Sequence, residues 1–213
     1  MTLQAVIFDM DGVLVDSEPF GFEAMRRVMA RHGLPYGEEE NAEFLGRTTL
    51  DSCRILRARH RLLESEETLA DWYVEAMLEQ IARGPIPMAG VPEVLRGVRG
   101  AGYRLALASS AEVRLIDANL AALAIRPLFE AVVSGTQVAR GKPAPDVFLA
   151  AAERLGVPAA ACLVVEDSRN GLLAAKAAGM RCAVVPCAQT LHQEFGEADH
   201  RIAALPELLP LLT

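Results

Sequence analysis

The sequence predicts a doubly wound parallel α/β sheet that is interrupted by a helical insertion. Short apolar runs alternate with helical patterns over most of the chain, which is typical of a sheet with helices on both faces. The alternation stops between about residues 16 and 85, where helical patterns follow one another without an evident strand. The 213 residues are enough for one domain that carries a smaller insertion.

The predicted strands are apolar along almost their whole length, which indicates that both of their faces are covered. They are AVIF (5–8), YRLALA (103–108), AVVS (131–134), ACLVVE (161–166) and CAVVP (182–186). Helical patterns lie between them, and most of these end in glycine, a frequent helix terminator. They cover residues 91–102, 111–123, 145–156 and 169–179, and LPELLPLLT at the end predicts a short docking helix despite Pro210.

Helical patterns fill the insertion. PFGFEAMRRVMARHG places apolar residues at helical spacing, and EEENAEFLG, TLDSCRILRARHRLL and SEETLADWYVEAMLEQIARG follow, with Ser65 as a candidate N-cap. The stiff segment GPIP at 84–87 closes the insertion. We therefore expect an α/β domain at 1–15 and 86–213 and a helical domain at 16–85.

The composition and charge limit the classes of partner and the cellular compartment that we expect for this protein. Hydrophobic residues make up 52% and charged residues 23% of the chain, as in a soluble globular protein. The net charge of −7 disfavours nucleic acid and anionic membranes as partners. The four cysteines show no zinc spacing, so we expect free thiols, although a bridge between Cys182 and Cys187 is conceivable. No signal peptide or membrane span is evident, so we expect a cytoplasmic protein, with a monomer as the default.

Polar residues stand where four of the predicted strands end. Because ligands of open α/β sheets bind at the carboxyl ends of the strands, we expect these residues to form one site. The residues are Asp9 and Asp11 after the first strand, Ser109 and Ser110 after the second, Lys142 beyond the third, and Glu166 and Asp167 at the fourth.

This set of residue types has one coherent use. Carboxylates on neighbouring strands can hold Mg²⁺, while Lys142 and the Ser109 hydroxyl can hold phosphate oxygens. One carboxylate can attack phosphorus and form an aspartyl phosphate, and a second can protonate the leaving group. Taken alone, Asp9 and Asp11 could instead be a turn with Asx caps. The complete set favours phosphoryl transfer.

Four segments carry a family resemblance. DMDGVLVDS (9–17), ALASS (106–110), GKPAPDVF (141–148) and VVEDSRNGLLAAKAAGM (164–180) resemble, in order, the motifs of the haloacid dehalogenase-like phosphohydrolases. The resemblance covers nearly the whole chain. It implies a Rossmann-like core, a small helical cap inserted after the first motif, and Mg²⁺ as the cofactor.

The resemblance also implies a role for each acidic residue. Asp9 would be the nucleophile and a Mg²⁺ ligand, and Asp11 the general acid and base, with its backbone carbonyl on the metal. Asp167 would be a metal ligand, and Glu166 either a ligand or the partner of one. The family's dehalogenases lack the second aspartate, because halide leaves without a proton. The presence of Asp11 therefore favours phosphoryl transfer.

The remaining roles concern the substrate. By the same resemblance, Ser109 and Lys142 would hold the transferring phosphoryl group. The backbone N–H of Ser110 could donate to phosphate, or Ser110 could simply start the next helix, and the two roles are compatible because a helix start binds anions. FLGRTTLDS (44–52) resembles the cap loop that points toward the active site in this family. Arg47 in this loop could contact a substrate hydroxyl or a second phosphate, or could be an ordinary exposed arginine.

The form of the fourth motif resembles the subgroup that holds β-phosphoglucomutase and several sugar-phosphate phosphatases. The mutases have a histidine soon after the first motif, where SEPFGF stands here, and a cap-loop arginine where Thr49 stands. We therefore expect a phosphatase that acts on a small phosphorylated metabolite, with a sugar phosphate favoured. The alternatives are a phosphosugar mutase and a binding protein that has lost catalysis, although the latter predicts loss of motif residues that are all present.

Overall fold

The computed structural model describes residues 2–44 and 48–212. The chain forms two compact units, one made of Met1–Asp16 with Ile86–Thr213 and the other of Ser17–Pro85. In chain order the elements are β1 (Ala5–Phe8), α1 (Glu18–Ala30), α2 (Glu38–Ala42), α3 (Thr49–His60), α4 (Glu66–Ile81), α5 (Val91–Gly100), β2 (Arg104–Ser109), α6 (Val113–Ala122), β3 (Ala131–Ser134), α7 (Asp146–Leu155), β4 (Cys162–Glu166), α8 (Arg169–Ala177), β5 (Arg181–Val184) and β6 (His200–Arg201).

The first unit is built on a six-stranded sheet in the order β3-β2-β1-β4-β5-β6, with every neighbouring pair parallel. The predicted fold class is thereby confirmed. All five predicted strands are present, and each of their ends lies within two residues of the predicted position. β6 was not predicted, because its two residues are too few to form an apolar pattern.

Apolar side chains of β1 alternate between the two faces of the sheet and enter two separate clusters. Val6 and Phe8 belong to the cluster that includes α5 residues, whereas Ala5 and Ile7 belong to the one that includes α7 and α8 residues. All four residues of β1 are fully buried. This double burial explains why the strand sequence is apolar throughout rather than alternating.

The C-terminal segment forms a 3-10 helix over Leu205–Leu212, where a short helix was predicted. Its buried leucines, Leu205, Leu208 and Leu212, join the cluster that contains Val6 and Phe8. The prediction of a docking helix is therefore confirmed, and the whole segment winds as a 3-10 helix, which is tighter than an α-helix.

The described parts of the second unit, 17–44 and 48–85, contain four helices and no strand. Its apolar core includes Met29 of α1, Cys53 and Leu56 of α3, and Leu69 of α4. The Ser65 hydroxyl accepts the backbone N–H of Thr68 at 3.3 Å, which confirms the predicted N-cap of α4. No described helix in either unit has both the length and the apolar character needed to cross a membrane.

Candidate active site

The sheet order brings the predicted site residues to one edge. β1 lies between β2 and β4, and Phe8 is in register with Leu107 and Val165. Asp9 directly follows β1, Ser109 ends β2 and Glu166 ends β4. The carboxyl ends of three adjacent strands therefore supply polar side chains to the same place, as parallel pairing requires.

Lys142 is the cation at the centre of this site. Its Nζ lies 2.6 Å from Asp9 Oδ1, 2.7 Å from Glu166 Oε1 and 3.3 Å from the Ala108 carbonyl oxygen. The ammonium also lies 4.8 Å from the centre of the Phe148 ring, which is buried at the start of α7. The lysine side chain is only 7% exposed, so its charge depends on these partners rather than on water.

Glu166 connects the lysine to the turn that follows β4. Its Oε2 accepts the backbone N–H groups of Asp167 at 2.9 Å and Ser168 at 2.8 Å, and the Ser168 hydroxyl at 2.9 Å. The Ser168 oxygen in turn caps α8 by accepting the N–H of Gly171 at 3.1 Å. Both carboxylate oxygens of Glu166 thus have hydrogen-bond partners within the protein. This favours a role in which Glu166 supports the metal ligands over one in which it binds the metal itself.

Asp167 is held by two residues that the sequence analysis did not assign to the site. Its Oδ2 lies 3.1 Å from Cys187 Sγ and 3.3 Å from Thr190 Oγ1. Both donors lie in the segment after β5. All four cysteines are free thiols, so the conceivable bridge between Cys182 and Cys187 is absent. No sequence spacing connects positions 187 and 190 with 167, and only the adjacency of β4 and β5 could have indicated it.

Gly12 permits the turn that places Asp11 beside the sheet edge. Its φ is +76°, a left-handed conformation that side chains disfavour, and a Cβ there would lie 2.4 Å from Asp167 Oδ2. Asp11 is half-buried, and its Oδ2 lies 3.5 Å from the Ser109 hydroxyl, which also accepts the N–H of Ala111.

One described residue of the predicted site remains outside this cluster of contacts, and one prediction falls outside the described residues. Ser110 follows Ser109 and is exposed. Arg47, predicted to contact the substrate, lies outside the described residues. The structure therefore brings together the side chains of Asp9, Lys142, Glu166 and Asp167, with Asp11 and Ser109 as a contacting pair.

Burial dominates the electrostatics of the site. It raises the pKa of Asp9 well above its ordinary value, Lys142 opposes this change, and the neighbouring carboxylates add to it. Burial and the charge of Glu166 raise the pKa of Asp167 to about 7. Burial would lower the pKa of Lys142, but the carboxylates of Asp9 and Glu166 outweigh it and raise this pKa above its ordinary value.

The acidic residues fit a divalent cation. Asp9, Glu166 and Asp167 are buried, and each offers a carboxylate oxygen within 4.8 Å of the others. One lysine cannot balance three ionised carboxylates. The pKa values of Asp9 and Asp167 are raised chiefly by burial, and the neighbouring carboxylates raise them further. Hard oxygen donors in an electronegative setting suit Mg²⁺ or a similar cation.

Comparison with known proteins places this site in a family. Residues 3–179 match the haloacid dehalogenase-like hydrolases, and the chain belongs to that family. It is 38% identical to Protein CbbY of Rhodobacter capsulatus over the full length of both chains. It is 37% identical to the phosphorylated carbohydrates phosphatase of Thermotoga maritima, over 84% of this chain and 82% of that protein.

A solved structure gives the same assignment. A point mutant of CbbY from Rhodobacter sphaeroides, in complex with xylulose-(1,5)bisphosphate, aligns with a TM-score of 0.89 and 29% identity. The alignment covers 97% of this chain and 96% of that one. The predicted family and the prediction of an enzyme, a phosphatase of this family, are confirmed.

Proposed function

We propose that this protein is a Mg²⁺-dependent phosphatase that hydrolyses a small phosphomonoester, a sugar phosphate, through an aspartyl phosphate on Asp9. The observation that carries the proposal is the buried carboxylate of Asp9, which is paired with Lys142 and lies beside Asp167. Asp11 lies shortly after β1 and contacts Ser109 at the end of β2, and it supplies a second acid within the site.

The carboxylates of Asp9 and Asp167 would hold the metal, together with the backbone carbonyl of Asp11 that the family resemblance implies. Bound Mg²⁺ would neutralise charge that otherwise repels an anionic phosphate ester from an anionic nucleophile. Glu166 would keep the site assembled, since its two oxygens are shared between Lys142 and the turn after β4.

The chain's own groups account for each proton and bond. The Asp9 carboxylate attacks phosphorus, the bond from phosphorus to the sugar oxygen breaks, and Asp11 gives its proton to that oxygen. Asp11 then takes a proton from water, whose oxygen attacks phosphorus and displaces Asp9 as inorganic phosphate forms. Lys142, the Ser109 hydroxyl and the Ser110 N–H would hold the phosphoryl oxygens throughout both steps.

The sugar-phosphate class is supported by the names of the relatives. One is a phosphorylated carbohydrates phosphatase, and another is bound to a sugar bisphosphate in its structure. We propose that the helical unit, predicted at 16–85, is the cap that reads the leaving group and that Arg47 contacts the sugar. Mg²⁺ as the specific metal and a cytoplasmic location belong to the same proposal.

The test is phosphate release from a panel of sugar phosphates and other phosphomonoesters, with Mg²⁺ and with EDTA. We expect release that requires Mg²⁺ and is abolished in Asp9→Asn, with an unchanged circular dichroism spectrum. The matched control is Asp117→Asn, an exposed aspartate on α6, which we expect to retain wild-type turnover. Near-normal turnover by Asp9→Asn would contradict the assignment of the nucleophile.

The same assay separates the phosphatase from the mutase. Glucose 1-phosphate with a trace of the 1,6-bisphosphate is included, and glucose 6-phosphate is monitored. Formation of glucose 6-phosphate without phosphate release would identify a mutase and overturn the hydrolytic proposal. If the intact protein bound neither Mg²⁺ nor a phosphate mimic, both the phosphatase and the mutase would be excluded.

A further inference from the structure

The segment after β5 reaches back to the acid that follows β4. Cys187 Sγ and Thr190 Oγ1 both lie within hydrogen-bond distance of Asp167 Oδ2, at 3.1 and 3.3 Å. Thr190 is buried and Cys187 is half-buried. Neither residue belongs to the motifs that carry the family resemblance, and the proposed mechanism gives neither of them a task.

A closed turn holds these two side chains in place. The Cys187 N–H donates to Thr190 Oγ1 at 3.0 Å, and the Thr190 N–H donates back to the Cys187 carbonyl at 3.0 Å. The Leu191 N–H donates to the same carbonyl at 3.0 Å. The Thr190 hydroxyl can donate its proton to Asp167 Oδ2 at 3.3 Å or to the Cys187 carbonyl at 3.4 Å.

The segment is also fastened to the helix that Asp167 precedes. Gln193 Oε1 accepts the backbone N–H of Arg169 at 2.7 Å, and the Arg169 guanidinium donates to the Glu194 carbonyl at 3.0 Å. These contacts tie the first residue of α8 to the segment after β5. Movement of Cys187 and Thr190 relative to Asp167 would therefore require breaking several hydrogen bonds together.

Gly12 closes the remaining side of the same carboxylate oxygen. A Cβ at Gly12 would lie 2.4 Å from Asp167 Oδ2 and 3.2 Å from Cys187 Sγ, so backbone packs against both groups. Oδ2 is thus enclosed by two donors and a glycine. An aspartate side chain held at one oxygen in this way has little freedom to rotate.

We propose that Cys187 and Thr190 are positioning residues that hold the Asp167 carboxylate in the orientation in which it binds the divalent cation. The inference rests on the proposed function, in which Asp167 is a metal ligand. Donors to a ligating carboxylate orient it, and losing them typically weakens metal affinity by about 10- to 100-fold.

The test measures Mg²⁺ binding directly, by isothermal titration calorimetry on the full-length protein. We expect the double variant Cys187→Ala/Thr190→Val to bind Mg²⁺ about 10-fold or more weakly than wild type. The conservative variants Cys187→Ser and Thr190→Ser keep a donor at each position, and we expect them to recover most of the affinity. Cys162→Ala is the control, since it removes a buried thiol at the other end of β4.

A structural role alone predicts a different pattern. It would lower the thermal midpoint of the metal-free protein without changing the Mg²⁺ dissociation constant. We expect instead that the Mg²⁺ half-saturation of turnover rises with the dissociation constant, by more than kcat falls at saturating Mg²⁺. If the double variant does not fold, Thr190→Val, which preserves side-chain shape, carries the same test with a smaller expected loss.

The outcomes separate this inference from the proposed function. Wild-type affinity in a folded variant that lacks the donors overturns the positioning role and leaves the phosphatase proposal standing. If wild-type protein binds no Mg²⁺, both proposals fail, because Asp167 then has no cation to be positioned for. Weaker binding in the double variant, with recovery in the serine variants, supports both.

Discussion

Gly171 offers a sharp test of how Glu166 holds the site together. An alanine Cβ at this position would lie 1.7 Å from Glu166 Oε1 and 1.8 Å from its Cδ, far inside van der Waals contact. Gly171 is buried in α8 and Glu166 is only 1% exposed, so neither group can simply move into solvent. We therefore expect Gly171→Ala to displace the Glu166 carboxylate.

The expected cost follows from what that carboxylate holds. Its contacts are the Lys142 ammonium at 2.7 Å, two backbone N–H groups and the Ser168 hydroxyl. Losing one hydrogen bond to a charged group costs ~1.5–3 kcal/mol, and overpacking costs ~1–3 kcal/mol. Alanine recovers ~1 kcal/mol through its helix propensity. We expect the free energy of unfolding to fall by about 1.5–5 kcal/mol. Turnover should also be lost, because Lys142 loses one of its two carboxylate partners.

Urea unfolding followed by circular dichroism measures this change. Gly100→Ala is the matched control, because Gly100 ends α5 with no atom within 4 Å of the Cβ position and no positive φ. We expect the control to be neutral or slightly stabilised. An active Gly171→Ala variant with wild-type stability would refute the placement of Glu166 against α8.

Three further predictions concern groups away from the catalytic cluster. Burial raises the pKa of the Cys53 thiol to about 12 and that of Cys162 to about 11. We therefore expect neither to react with a thiol reagent such as DTNB until urea unfolds the protein; early labelling would contradict their burial. Ser65→Ala removes the cap of α4 and should cost about 1 kcal/mol in urea unfolding; no change would show that the cap contributes nothing. Burial opposes ionisation of Asp199, but hydrogen bonds from Lys176 and the Cys182 N–H lower its pKa below the ordinary value. Its carboxylate thus stabilises the fold above pH ~4, and this contribution is lost as the pH falls through the lowered pKa. The difference in thermal midpoint between wild type and Asp199→Asn should therefore shrink from pH 6 to pH 3, and a constant difference would refute the linkage.

The fold could be predicted because its physical cause is visible in local sequence. Strands buried on both faces must be apolar throughout, so AVIF and CLVVE are recognisable without knowledge of their neighbours. β6 was not predicted because His200 and Arg201 are polar residues that pair only at the edge of the sheet, beside Ala183 and Val184. That pairing depends on the tertiary fold, and no local sequence pattern indicates it.

The site could be predicted to the extent that it follows strand ends. Parallel pairing sends the ends of β1, β2 and β4 to one edge, so the residues after apolar runs were the natural candidates. The contacts of Cys187 and Thr190 with Asp167 depend on the register of β4 and β5 and on the path of the chain beyond them. The Phe148 ring beneath Lys142 depends likewise on the packing of α7. Such contacts arise only once the chain is folded.

The central position of β1 in the sheet determines the order in which its neighbouring strands can pair with it during synthesis. Ala5 pairs on one side with Arg104 and on the other with Cys162. Both partners follow β1 in the sequence, so β1 is synthesised before either of them, and the partner in β4 is synthesised last. Until the residues of β4 have been synthesised, one edge of β1 has no native neighbour, although Asp9 and Asp11 can already meet Lys142 and Ser109. Contacts between such distant segments form slowly. A nascent chain that ends before Cys162 therefore lacks two acids of the cluster, Glu166 and Asp167, and it presents an apolar strand edge that is open to wrong pairing.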